Sequence, residues 1–100
     1  MGFLLFRRYN RRMIRQEIIE LTATPVDLTV SGVIDPLLVI SIQNIMPTGY
    51  AYLGNEHVSS TDYGHKLYPG QSFTIELAPN DKIYAVGDAG VSIAKFILDI

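Results

Sequence analysis

From Gln16 onward, apolar and polar residues alternate in short runs that never reach helical length. The clearest run sets Ser72, Thr74 and Glu76 against Phe73, Ile75 and Leu77. A period of two predicts a half-buried strand with one wet face and one core face. Leu37 to Ile42 is almost wholly apolar and β-branched, which predicts a central strand covered on both sides. Gly49 to Gly54 sets Tyr50 and Tyr52 on one face and Ala51 and Leu53 on the other. Lys82 to Val86 and Val91 to Leu98 follow, and in the latter Ala94, Phe96 and Leu98 oppose Ile93 and Ile97. Glu17 to Ala23 reads as a first strand, and Val26 to Ile34 as a further strand or a strand-like crossover.

Turn formers separate these runs at short intervals. Pro25, Pro36 and Pro47 come first, then Asp62-Tyr63-Gly64, Pro69-Gly70, Pro79-Asn80-Asp81 and Gly87-Asp88-Ala89-Gly90. Such spacing predicts an all-β fold over residues 16–100, an antiparallel, jelly-roll-like β-sandwich of about seven or eight short strands. Pro69-Gly70 suits the two central positions of a type II turn, where φ is first fixed and then positive.

Residues 1–15 break the pattern. On a helical wheel Arg7, Arg8, Arg11, Arg12 and Arg15 share one side, while Phe6, Tyr9 and Met13 lie opposite. A helix this short is marginal in water and forms only against a partner, so extended and disordered forms stay open. The segment reads as a docking arm in which Phe3, Leu4, Phe6 and Met13 are apolar anchors and the arginines meet carboxylates around them.

Charge sharpens this division. All five arginines lie in the arm, which has no acidic residue, whereas the body sets three lysines against ten carboxylates, about −7 in all. The chain is 48% hydrophobic and only 18% charged, an excess that points to surface buried between subunits. There is no cysteine, which excludes disulfides and thiolate metal sites. No apolar run is long enough to cross a bilayer, and Phe3 to Phe6 is too short for a signal peptide, so an unprocessed protein without a membrane partner is expected.

Catalytic patterns are missing: there is no Gly-rich phosphate loop, Walker sequence or GxSxG elbow. His57 and His65, with Glu56 and Asp62, lack the spacing of a metal site and read as exposed loop residues. Ser59-Ser60 beside His57 and Asp62 resembles a triad only superficially; local side-chain to backbone bonding is the simpler expectation. The expectation is therefore a protein with no enzymatic activity, cofactor, metal or small-molecule substrate. Tyr50, Tyr52, Tyr63 and Tyr68 offer stacking surfaces for a sugar, but strand tyrosines more often pack between sheets or subunits, which makes Tyr50 and Tyr52 candidate interface aromatics. The arm has the charge to grip nucleic acid, but the acidic body opposes it.

One ordered series of motifs goes further. Gln43-Asn44 closes a strand, an aromatic strand ends at Leu53-Gly54, and a Ser/Thr-rich loop follows. Leu67 to Ser72 (LYPGQS) then turns into an alternating strand, Pro79 to Asp81 makes a second turn, and Ile83 to Ala85 (IYA) opens the next strand. This order resembles small β-sandwich structural proteins of tailed bacteriophages. The resemblance spans about half of the chain continuously and excludes the arm. It implies a non-enzymatic virion protein, assembled in the host cytoplasm, that self-associates, with a homotrimer expected. Its partner would be the major capsid protein or another virion protein, as a capsid decoration or cement protein. A tail or head–tail junction component and a glycan-binding module are the alternatives.

Overall fold

The computed structural model describes residues 14–29, 38–78 and 80–99. Eight strands follow in order: β1 (Ile14–Glu20), β2 (Val26–Asp27), β3 (Leu38–Asn44), β4 (Ala51–Gly54), β5 (His65–Leu67), β6 (Ser72–Leu77), β7 (Tyr84–Gly87) and β8 (Ser92–Asp99). Phe3, Leu4, Phe6, Arg7, Arg8, Arg11, Arg12 and Met13, with Pro36, Pro79 and the crossover beyond Thr29, lie outside the described residues.

The strands form two antiparallel sheets, β1-β8-β3-β6 (sheet A) and β2-β7-β4-β5 (sheet B). Except for the β4–β5 hairpin, each connection passes from one sheet to the other. This is the strand order of a jelly-roll sandwich. The inward faces supply Ile40, Ile42, Leu77, Ile93 and Ile97 from sheet A and Ala51, Leu53, Leu67 and Ala85 from sheet B, all essentially buried in one cluster. Each large aliphatic side chain removed from water contributes about 1.5–3 kcal/mol, so this layer holds the sheets together.

Three of the sheet-switching corners are tight turns spaced ten residues apart. Backbone bonds close residues 68–71 (Gln71 N–H to Tyr68 O, 2.9 Å), 78–81 (Asp81 N–H to Ala78 O, 3.1 Å) and 88–91 (Val91 N–H to Asp88 O, 3.0 Å). In each the third residue has positive φ: Gly70 at 83°, Asn80 at 76° and Gly90 at 84°. The expected turn at Pro69-Gly70 is therefore present. Two corners are also clamped from within, by Gln71 Oε1 accepting from the Tyr68 amide and Asp81 Oδ2 from the Ala78 amide.

Several strand expectations shift. The first strand begins three residues early, at Ile14, and pairs with β8 as far as Glu20↔Ser92. It stops there because Leu21 turns into the core, its amide bonded to Val91 O at 2.8 Å. Arg15 therefore belongs to a sheet strand, opposite Ile97. β3 lies inside sheet A, but among the described residues it is not covered on both sides: Ile40, Ile42 and Asn44 point inward, Val39 and Ser41 are half-buried outside, and Gln43 is exposed. His65 is not a loop residue; it opens β5, its ring 4.6 Å from that of Phe73 on β6.

Asn44 ends β3 fully buried. Its Nδ2 donates to Gly49 O and Leu67 O, both at 3.1 Å, and its Oδ1 accepts the Met46 amide at 3.0 Å. A single side chain thus ties the end of β3 to β5 and to the connection that leads into β4.

Candidate functional site

The two outer faces of the sandwich differ in chemistry. On sheet A, register places Ile14, Leu98, Val39 and Glu76 in one row, Gln16, Phe96, Ser41 and Thr74 in the next, and Ile18, Ala94, Gln43 and Ser72 in the third. The β3–β6 side is polar, with Thr74 Oγ1 donating to Ser41 Oγ at 3.0 Å. The β1–β8 side is aliphatic and open: Ile14, Ile18 and Phe96 are 62%, 63% and 46% exposed, beside half-buried Val39, Ala94 and Leu98. The opposition of Ala94, Phe96 and Leu98 to Ile93 and Ile97 is as expected from the sequence.

Beneath β1 the inner face turns ionic. Lys95 follows the inward alternation of Ile93 and Ile97 and is 9% exposed. Its ammonium donates to Leu28 O at 3.1 Å and lies 3.4 Å from Glu17 Oε1. Lys95 and Glu17, with Arg15, Gln16, Thr29 and Ile97, line a cavity of about 270 Å³. Nearby, burial alone would raise the Asp27 carboxyl, but the Thr29 hydroxyl and amide, followed by Lys82 at 3.5 Å, outweigh it and hold the group below its ordinary value of 3.8. The sequence reading passed over Lys95, although strict alternation between Ile93 and Ile97 was a signal that it faces the core.

Sheet B presents tyrosines. Tyr52 pairs with Lys66 on one side and Val86 on the other, so the three share the outer face. The β4–β5 loop folds back over this face because Gly54 leaves room: a Cβ there would lie 3.1 Å from Val58 Cγ2. Val58 joins Tyr52 and Val86 in a second small core, flanked by Tyr50 and Tyr84. Tyr50 meets Tyr68 edge-on at 5.2 Å and Tyr52 meets Tyr63 at 5.1 Å. All five tyrosines among the described residues therefore gather on one face. The Lys66 ammonium lies 4.1 Å from the centroid of Tyr50, 5.1 Å from that of Tyr68 and 5.8 Å from that of Tyr52. Asp88 closes the other flank, accepting the Tyr50 amide at 2.9 Å. Burial, then the Asp88 carboxylate bonded to its hydroxyl, holds the Tyr52 phenol above its usual value.

Tyr50 and Tyr52 thus share the outward face, as their spacing indicated, but Tyr52 is its floor at 6% exposure. The exposed rings are Tyr63 and Tyr68, 44% and 48% accessible. Of the expected docking residues of the arm, Arg15 alone falls among those described.

No group of three metal-ligating side chains forms among the described residues. Ser59 Oγ accepts the amides of Thr61 and Asp62 at 3.2 and 3.0 Å, while His57 lies 3.4 Å from Glu56. These groups do the local turn bonding their sequence suggested. An apolar groove of about 320 Å³ opens between the sheets where β5 and β6 form their edges, lined by Leu53, Phe73, Ile75, Leu77 and Ile83 with His65 and Lys82 at its rim. No described helix is long and apolar enough to cross a membrane.

Neither a protein-family profile nor a curated protein matches the chain. Among solved structures, the sandwich is similar to a chain from Bacillus endospore appendages, described as a novel family of disulfide-linked pili. The match has a TM-score of 0.50 at 13% identity and covers 89% of each chain. At that identity the likeness is one of fold.

Proposed function

We propose that this protein is a non-enzymatic structural subunit of a bacteriophage particle, a capsid decoration or cement protein that associates with copies of itself, as a trimer, and docks on the major capsid shell. The observation that carries this reading is the aliphatic half of the outer face of sheet A. A solvated antiparallel sheet alternates apolar inward and polar outward, yet β1 and β8 present Ile14, Ile18, Phe96 and Leu98 on the side away from the core. A contiguous exposed patch of this kind fits a protein partner.

The order of turns and strands that resembles phage sandwich proteins supports placing that partner in a virion. Residues 1–13 lead directly into Ile14 at the margin of the patch, so the anchors Phe3, Leu4, Phe6 and Met13 and the preceding arginines suit the same neighbour. The pilus chain of similar fold belongs to a disulfide-linked family, whereas this chain has no cysteine, so no disulfide of its own links its subunits. A tail or head–tail junction component would share patch and arm; copy number separates the two, hundreds per particle for decoration against about a dozen for a junction.

The test pairs Ile18→Lys with Phe96→Glu and, separately, deletes residues 1–13. Both proteins should stay folded by circular dichroism and fail to occupy undecorated particles. Full occupancy by both would exclude the patch and the arm as docking elements.

A further inference from the structure

We infer that the outer face of sheet B binds an acidic saccharide, a pyranose ring carrying a carboxylate, through the exposed rings of Tyr68 and Tyr63 and the ammonium of Lys66. This goes beyond the assembly role and rests on a different surface.

Charge is the first argument. Lys82 and Lys95 each have a carboxylate within 3.5 Å. Lys66 has none among the described residues and donates no hydrogen bond there; its contacts are the three tyrosine rings. The carboxylate on the same face, Asp88, is engaged by the Tyr50 amide and the Tyr52 hydroxyl. A cation held in place by π faces, with its charge not cancelled by an ion pair, selects an anion.

Surface chemistry is the second. The aliphatic face of sheet A suits apolar packing against protein, but phenols bring hydroxyls that need hydrogen-bond partners when covered. A sugar ring offers C–H faces for the rings and hydroxyls for the phenols and Asp88. The face is also pre-organised, since Tyr52 is packed between Val58 and Val86 and fixes the platform beneath Lys66. Rings already held against one another, Tyr68 on Tyr50 and Tyr63 on Tyr52, lose little entropy on binding.

The full-length protein is titrated by calorimetry and saturation-transfer NMR with a galacturonate oligomer, with sialyllactose, and with the methyl ester of each. At least one acidic sugar should bind saturably, and its ester, uncharged and larger by one methyl group, about tenfold more weakly. Tyr68→Ala should weaken both forms about tenfold, while Lys66→Gln should remove the preference for the acid over its ester. The proposal fails if neither acid saturates by ~10 mM. It fails equally if both variants bind like the parent. Loss of self-association or particle docking in these variants, with no sugar bound by the parent, would make the face a protein interface instead.

Discussion

At the scale of single residues, the buried polar groups hold the parts of the chain that hydrophobic patterning does not. Asn44 makes three side-chain hydrogen bonds that join β3, β5 and the turn around Gly49. Removing the amide takes this partner from two carbonyls and one amide, in a site buried at Leu67 and part-buried at Met46 and Gly49. Each such orphan costs about 1–3 kcal/mol, so Asn44→Ala is expected to lower unfolding stability by about 2–4 kcal/mol, read from the denaturant midpoint at unchanged slope. A loss no larger than that of an exposed control such as Gln43→Ala would mean the network is dispensable. The position of Asn44 at a strand end was legible from the sequence, but its burial was not. Nothing local distinguishes it from an exposed strand-end amide, because its partners lie 5 and 23 residues away. Lys95 is the complementary case: its alternation with Ile93 and Ile97 announced the inward direction, while its acceptor, Leu28 O, is 67 residues distant.

At the scale of elements, the turns were the most legible parts because their chemistry is local. Pro69-Gly70 and Asn80 carry their φ requirements in their own side chains, and the corners form where the sequence places them. Strand limits were less so. β1 takes in Ile14, Arg15 and Gln16 because β8 extends far enough to pair with them, a fact about residues 96–98 rather than about residues 14–16. The glycines separate local from tertiary constraint. Gly70 has φ 83° with nothing within 4 Å of an added Cβ, whereas Gly49 has φ 90° and its Cβ would meet Val91 Cγ2 at 2.6 Å. Gly70→Ala should therefore cost only the backbone term, about 1 kcal/mol, and Gly49→Ala that term plus overpacking, about 2–4 kcal/mol. Thermal melts of the two variants test the ordering, and equal losses would show that Val91 moves aside freely.

At the scale of the whole molecule, the sandwich places an aliphatic face and a phenolic face back to back. Alternation within strands predicted which residues share a face, and the structure adds which strands lie side by side. That step joins Ile14, Ile18 and Phe96 into one patch and brings Tyr50 and Tyr52 of one segment against Lys66 and Tyr68 of another. Neither grouping is visible from spacing alone, since it depends on register across two sheets. The patch also has a thermodynamic consequence. If subunits meet there, the native state is linked to association, and the melting temperature of the full-length protein rises with protein concentration by mass action. A hundredfold increase in concentration contributes about 2.7 kcal/mol to a one-to-one complex, a shift of several degrees for a domain this size. Ile18→Lys places a charge on the patch without touching the inward face of β1, so it should flatten this dependence while leaving the dilute melting temperature within about a degree of the parent. A parent protein whose melting temperature is independent of concentration, monomeric by light scattering throughout, would remove self-association from the role of this face.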